Sequence, residues 1–159
     1  MSRLTGMNGE SPTADATFSQ ILEMPTWLIT RVYTHSHRLL AEGFAAAGVR
    51  AYHYRLLAAL EEFGPASQAE LGRRSSIDRS DVVAALNELA DRGLIQRSPD
   101  PNDRRRNIIT ITPAGTELLL RLHPILADVQ EKLLAPLSPA DRAQLIGLLN
   151  RLLEHDAQS

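Results

Sequence analysis

The stretch Ser98-Pro-Asp-Pro-Asn-Asp-Arg-Arg-Arg-Asn-Ile-Ile-Thr-Ile-Thr-Pro-Ala-Gly115 sets three arginines, Arg104, Arg105 and Arg106, beside a cluster of turn formers and then returns at once to an apolar run. A guanidinium carries five N–H donors in a planar fork that matches the oxygens of phosphate and carboxylate. With Arg97, four arginines stand against Asp100 and Asp103, a local positive excess on a chain whose formal net charge is −2. The chemistry this spacing offers is anion recognition. Sixteen of the seventeen basic residues are arginine, Lys132 being the exception. Over the whole chain that bias reads as codon preference, but three in a row at a turn read as a contact surface.

A second concentration lies upstream. All seven aromatic residues fall between Phe18 and Phe63, and so do His35, His37 and His53 of the five histidines. Arg31 and His35 are spaced i,i+4 and share one helical face, whereas His37 lies on another. Trp27, Tyr33, Tyr52 and Tyr54 supply flat walls. An arginine for a carboxylate and a histidine for a hydroxyl suit an aromatic or phenolic acid. The candidate ligand residues are therefore Trp27, Arg31, His35, His37 and Tyr54. The alternative is that these rings pack a dimer core and that Arg31 forms an inter-subunit ion pair. His35 and His37 point about 200° apart on a helix and cannot share one metal ion. Neither a metal nor another cofactor is expected.

The totals bound the class of protein. A chain of 159 residues with 43% apolar residues suits one compact domain with additional helices. Cysteine is absent, which excludes disulfides and thiolate metal sites. No apolar run is long enough to span a bilayer, and the N-terminus lacks the apolar core of a signal peptide. A cytoplasmic protein without membrane contact is expected. The chain has no Gly-rich phosphate loop, no G-x-S-x-G elbow and no zincin motif, so it is read as a non-enzyme.

The elements that must position the arginines follow from periodicity. Residues 1–17 are polar and rich in Gly, Ser and Pro, and read as a disordered arm. Leu28, Val32, Leu39 and Leu40 recur at helical spacing from Pro25 to about Ala46, with Gly48 as a stop. A second helix runs from about Ala51 to Phe63 and ends at Gly64-Pro65. Ser67 and Glu70 form a capping box at the start of a short helix. Asp78 caps the next, whose stripe Val82, Leu86 and Leu89 ends at Gly93. Two short helices joined by a tight turn make a helix-turn-helix. The period then changes to two over residues 94–97 and 107–112, a β-hairpin with the arginines near its tip. Thr112-Pro113 launches a helix to about Leu134 that Pro124 should kink or interrupt. Ser138, Pro139 and Asp141 open a last helix with the stripe Leu145, Leu148, Leu149, Leu152 and Leu153. The fold class is thus mainly α with a small β-hairpin wing. Residues 51–112 are a winged helix-turn-helix. Residues 18–50 and 113–155 carry apolar helical faces that a homodimer would bury.

The run "LGRRSSIDRSDVVAALNELADRGLIQRSPDPNDRRRNIITITPAG" resembles the MarR family of bacterial winged-helix regulators. The Asp-Pro-x-Asp-Arg-Arg wing, the "RGLI" approach to the first strand and the "ITPAG" exit carry the likeness, which extends over about residues 20–155. The resemblance implies a homodimer on a pseudo-palindromic double-stranded DNA operator, acting most often as a repressor. It also implies a small aromatic or phenolic acid that weakens DNA binding from the groove between the first helices and the winged domain. Within the wing, it implies that Asp103 pairs with Arg105 as a brace.

On this reading the helix from Arg79 enters the major groove by its N-terminal half, and Arg79 and Ser80 are placed for base or phosphate contact. Ser67, Gln68, Ser75 and Ser76 are candidate phosphate donors, although capping and turn formation account for serines there equally well. Asp81, Val83 and Ala84 depart from the residues common in the family, which are Thr or Ser at the first and Thr-Arg at the other two. Asp81 is a candidate DNA contact, since Asp can accept from cytosine N4, but the favoured reading is that it completes the helix cap with Asp78; Ala84 lies on the DNA-facing side. Arg104 is the arginine expected in the minor groove, flanked by Arg105 and Arg106. The alternative function is a winged-helix module that binds protein and never touches DNA.

Overall fold

The protein is described by a computed structural model covering residues 14–158, with side chains from Phe18 onward. The elements in chain order are α1 (Ala14–Leu22), α2 (Pro25–Phe44), α3 (Ala51–Phe63), β1 (Ala66–Ser67), α4 (Gln68–Ser75), α5 (Arg79–Asp91), β2 (Ile95–Pro99), β3 (Asn107–Ile111), α6 (Pro113–Leu134) and α7 (Pro139–Asp156). The chain divides into two compact units between His37 and Arg38. Helix α1 begins at Ala14, inside the stretch read as a disordered arm. The rest of that arm, residues 1–13, lies outside the described residues.

In the first unit, α1 and the start of α2 expose Phe18, Leu22, Leu28, Ile29, Val32 and Tyr33. The second unit holds the core. There α3 packs against α4, α5 and α6, burying Leu56, Leu57 and Leu60 with Leu71, Leu86, Leu89, Leu119 and Leu122. Each helix contributes residues at helical spacing, and burial of each such side chain is worth about 1.5–3 kcal/mol. Helix α2 gives way to a 3-10 turn over Ala45–Ala47 and stops at Gly48, whose φ of 64° is left-handed and suits glycine.

The sheet has three strands in the order β1-β3-β2, all antiparallel. Two of them form the expected hairpin. The third, β1, is two residues long and pairs Ala66 with Ile109 and Ser67 with Ile108. Pattern reading could not find it, because a two-residue strand has no period. Beyond the hairpin, the Thr112 side chain accepts from the Gly115 amide, and Pro113 occupies the first turn of α6. Gly115 is required there for a different reason: a Cβ would collide with the Leu94 carbonyl and lie 2.7 Å from the Ile111 side chain. The "TPAG" exit is therefore a cap followed by a close approach of helix to strand. Pro124 does not interrupt α6, which runs unbroken to Leu134. Pro124 removes one i→i−4 donor, at the level of the exposed Leu120, where water can satisfy the orphaned carbonyl.

One polar cluster sits at the edge of the core. His53, 3% exposed, accepts the Arg50 amide at Nδ1 (3.1 Å) and meets Glu88 at Nε2 (2.6 Å). This fixes the neutral tautomer with its proton on Nε2. Arg50 also donates to both Glu88 oxygens at 2.8 Å. Arg92, at the end of α5, donates to the carbonyls of Gly48 and Ala47. The second half of α5 is thus fastened to the corner between α2 and α3. Burial lowers the His53 pKa against the opposing pull of Glu88, with Arg50 and Arg92 adding to the lowering. A second proton would displace the Arg50 amide from Nδ1. Because the unfolded chain binds that proton more readily, this stabilisation is full above about pH 6.5 and is lost as pH falls through the lower folded value. Thermal melts from about pH 8 to about pH 5 should show Tm falling toward acid. The His53→Gln variant should start lower and show a shallower pH slope, whereas an unchanged slope would remove His53 as the cause.

Candidate nucleic-acid interface

Helix α4 starts where β1 ends. The Ser67 hydroxyl accepts the Glu70 amide (3.3 Å) and donates to Glu70 Oε2 (3.1 Å), while the Ser67 amide donates to the same carboxylate (2.9 Å). The capping box is complete, and those donors, amide first and then hydroxyl, hold the Glu70 carboxyl below its usual pKa. Helix α4 ends at Ser76 in the left-handed region, φ 50°. The turn leads to Asp78, which occupies the N-cap position of α5 with extended backbone but makes no side-chain cap hydrogen bond. The cap expected from Asp78 is therefore corrected to backbone geometry alone. Asp81 lies in the first turn, where a negative charge meets the positive end of the helix dipole.

An open cleft of about 710 Å³ lies between α4, the start of α5 and the wing. Its lining contains Arg73, Arg79, Arg97, Arg105 and Arg106 together with Gln68 and Asn107, and no acidic residue. Ile77, Val82 and Ile109 form its floor. Five guanidinium-bearing chains around one concavity concentrate positive potential on a chain of net negative charge. The Arg97 guanidinium, on β2, donates to Asn87 Oδ1 on α5 at 2.8 Å and ties the wing to the helix.

The structure gives the three wing arginines different positions. Arg106 donates to Asp100 Oδ2 at 3.0 Å, and its Nε stands 3.9 Å from Asp103 Oδ2. Asp100 is only 5% exposed and also accepts the Asn102 amide at 2.9 Å. That amide, followed by Arg106, holds its carboxyl below the usual range. Asp103 accepts the Arg105 amide at Oδ1, 3.0 Å, and the Arg106 amide at its carbonyl. The brace expected between Asp103 and the Arg105 side chain is thus corrected. Arg106 and the buried Asp100 make it, and Asp103 holds the loop backbone. Arg104 and Arg105 are exposed, and their guanidinium groups make no hydrogen bond or ion pair among the described residues.

The other expected contact residues separate in the same way. Gln68 and Arg79 line the cleft. Ser80 and Ala84 are exposed on the adjoining face of α5, and Ser76 is exposed at the turn. Ser67 borders the cleft, but its hydroxyl is engaged in the cap. Ser75 is corrected: it is buried, its Oγ has no hydrogen-bond partner among the described residues, and its carbonyl accepts from Arg55 at 2.9 Å. Arg73 joins the cleft unannounced by its sequence position, since arginines in a last helical turn also serve the helix dipole. Asp100 has the sequence context of a turn former, and nothing in a Pro-Asp-Pro run reveals that its carboxylate is buried.

Among the candidate ligand residues, Trp27, Arg31, His35 and His37 all lie on α2 in the first unit. Arg31 sits over the Trp27 ring at 6.0 Å, and Tyr33 stacks on His37 at 5.9 Å. The Arg31 guanidinium thus caps an indole one turn back, on the helical face that Arg31 shares with His35. Tyr54 belongs to the second unit, where it stacks on Phe44 at 5.8 Å and meets His123 edge-on at 6.2 Å.

The arrangement of helix-turn-helix, three-stranded sheet and arginine wing defines a winged-helix DNA-binding protein. The MarR family model matches residues 47–106. A putative transcriptional regulatory protein for the hcr operon of Thauera aromatica is 36% identical over 112 residues, covering 70% of this chain and 68% of the relative. The HTH-type transcriptional repressor NicR of Pseudomonas putida is 27% identical over 146 residues, 92% of each chain. The solved structure of Bordetella bronchiseptica BpsR, a study of how 6-hydroxynicotinic acid regulates its DNA binding, superposes with a TM-score of 0.78. It shares 26% identity and covers 82% of this chain and 93% of its own. The chain belongs to the MarR family of DNA-binding transcriptional regulators. No helix among the described residues is long and apolar enough to cross a membrane.

The brace has a testable consequence. Asp100→Asn keeps the shape of the turn but removes the charge that holds Arg106. Tryptic cleavage after residues 104–106 should quicken, and duplex DNA affinity should fall roughly 3- to 10-fold, the scale of one charge-assisted hydrogen bond. Unchanged proteolysis and affinity would show that the wing is ordered without it.

Proposed function

We propose that the protein is a homodimeric, sequence-specific repressor whose grip on a pseudo-palindromic operator is weakened by a small aromatic or phenolic acid. The observation that carries DNA recognition is the acid-free, arginine-lined cleft beside an exposed wing tip. In this reading α5 lies in the major groove by its N-terminal half, with Arg79 at the base edges. Arg73 and Arg105 neutralise phosphates around the cleft, and Arg104 reaches the adjacent minor groove. Gln68, Ser76 and Ser80 add polar contacts along the same side.

Dimerisation is supported by the apolar surface left uncovered. Helix α7 has no buried residue and exposes Ile146, Leu148, Leu149, Leu152 and Leu153, and the first unit exposes its own apolar row. Faces of this size on soluble helices mark association. Residues 18–50 and 113–155 are therefore assigned to the dimer, and residues 51–112 to DNA. Release by an aromatic acid is supported by the arginine, histidine and ring cluster of α2, with Arg31 as carboxylate partner, and by the 6-hydroxynicotinic acid response of the similar BpsR. The repressor role is supported by the likeness to NicR. The acid need only favour a dimer whose two α5 helices no longer match half-sites about 34 Å apart.

The test is selection of bound duplexes from random DNA, followed by binding isotherms over a salt series and a panel of aromatic acids. Specific binding should weaken steeply with salt. Arg104→Ala should weaken binding to all sequences alike and lower the log–log salt slope by about one. A hydroxylated aromatic acid should release the DNA, and Arg31→Ala should blunt that release. No selected site and no salt dependence would favour the protein-interaction module instead.

A further inference from the structure

Helix α5 has two faces. Val82, Ala85, Leu86 and Leu89 are buried in the core. Ser80, Val83, Ala84 and Asn87 are exposed and fall within about 100° of arc on the opposite side. The contrast between neighbours is sharp: Val82 is 1% exposed and Val83 is 37% exposed. Val83 stands one turn beyond Arg79 and takes no part in the packed core. Valine is a mediocre helix former, and in this position it gains nothing from burial to offset that. Beside it, Ala84 presents a bare methyl. The first two turns of the helix nearest the arginine cleft therefore show DNA two apolar groups beside the donors of Arg79 and Ser80.

Such a surface matches one feature of the major groove. The 5-methyl of thymine is the apolar group on the base edges there, and small aliphatic side chains recognise it by contact. The polar neighbours are constrained in kind. Arg97 occupies Asn87 Oδ1 at 2.8 Å, which leaves the Asn87 amide nitrogen to donate to a base acceptor. Arg79, a fork of donors, suits guanine O6 and N7.

Building on the DNA-binding reading above, we propose that α5 reads its half-site through thymine methyl groups. Val83 is the principal reader, Ala84 packs beside it, and Arg79 takes a flanking guanine. Specificity at the thymine comes from apolar contact rather than from a hydrogen bond.

Replacing thymine by uracil deletes that methyl and nothing else. Duplexes selected by the full-length protein are synthesised with uracil at each recurrent thymine in turn. One or two positions per half-site should lose roughly 3- to 10-fold in affinity, the scale of a lost buried methyl. Val83→Ser should bind the thymine duplex more weakly and show no further loss with uracil at its own position. Val83→Thr, which keeps a methyl, should retain the sensitivity. Since residue 83 is exposed, melting curves of both variants should match the parent. Duplexes that bind well but tolerate uracil everywhere would overturn the inference while leaving DNA recognition intact, as would Val83→Ser with undiminished uracil sensitivity. Failure to select any duplex would overturn both.

Discussion

The geometry of the DNA-binding face depends on one residue with two roles. Ser67 pairs with Ile108 of the wing strand through β1 and caps α4 through its hydroxyl. The wing and the helix-turn-helix are therefore joined at a shared backbone position rather than by side-chain packing alone. Ile109, on the same central strand, is buried on the floor of the cleft. With β3 paired to β1 on its outer side, the hairpin cannot swing as a unit without breaking the β1 pairing. That fixes the width of the cleft and the angle at which the wing tip leaves the body.

Electrostatics then divide the arginines between structure and contact. Arg106 is held by the buried Asp100, Arg97 by Asn87, Arg55 by the end of α4, and Arg92 by the carbonyls before α3. Those that remain exposed at the cleft and tip, Arg73, Arg79, Arg104 and Arg105, are where an external anion would complete the hydrogen bonding. A protein of net negative charge can bind a polyanion because its cleft lining gathers arginines and no acid, not because the whole is basic. The second half of α5 is tied to the α2–α3 corner through Glu88, His53 and Arg50. A displacement of that corner would reach α5 through packed, hydrogen-bonded groups.

Much of this was legible in the sequence for identifiable reasons. Caps and breakers are local, so Ser67–Glu70, Gly64-Pro65 and Thr112-Pro113 placed the helix ends correctly. The change of period from 3.6 to two located the wing. What escaped depended on tertiary partners. Strand β1 exists because β3 lies beside it. Asp100 is buried by the loop it closes, so the brace falls to Arg106 instead of Arg105. Ser75 looked like a donor at a turn and lies inside. Asp78 occupied the cap position without making the bond. Val83, which stands where the family commonly has a polar reader, acquires a meaning once its exposure is set against the burial of Val82.

The central claim is that α4, α5 and the wing form one surface for duplex DNA. Hydrogen–deuterium exchange of the full chain with and without a selected duplex tests it most directly. Slowed amide exchange should appear together at the start of α4, across residues 76–87 and in the wing loop 100–107, with the buried face of α3 unchanged. Protection confined to α7 or the α1–α2 region, with none at the wing and α5, would contradict the account.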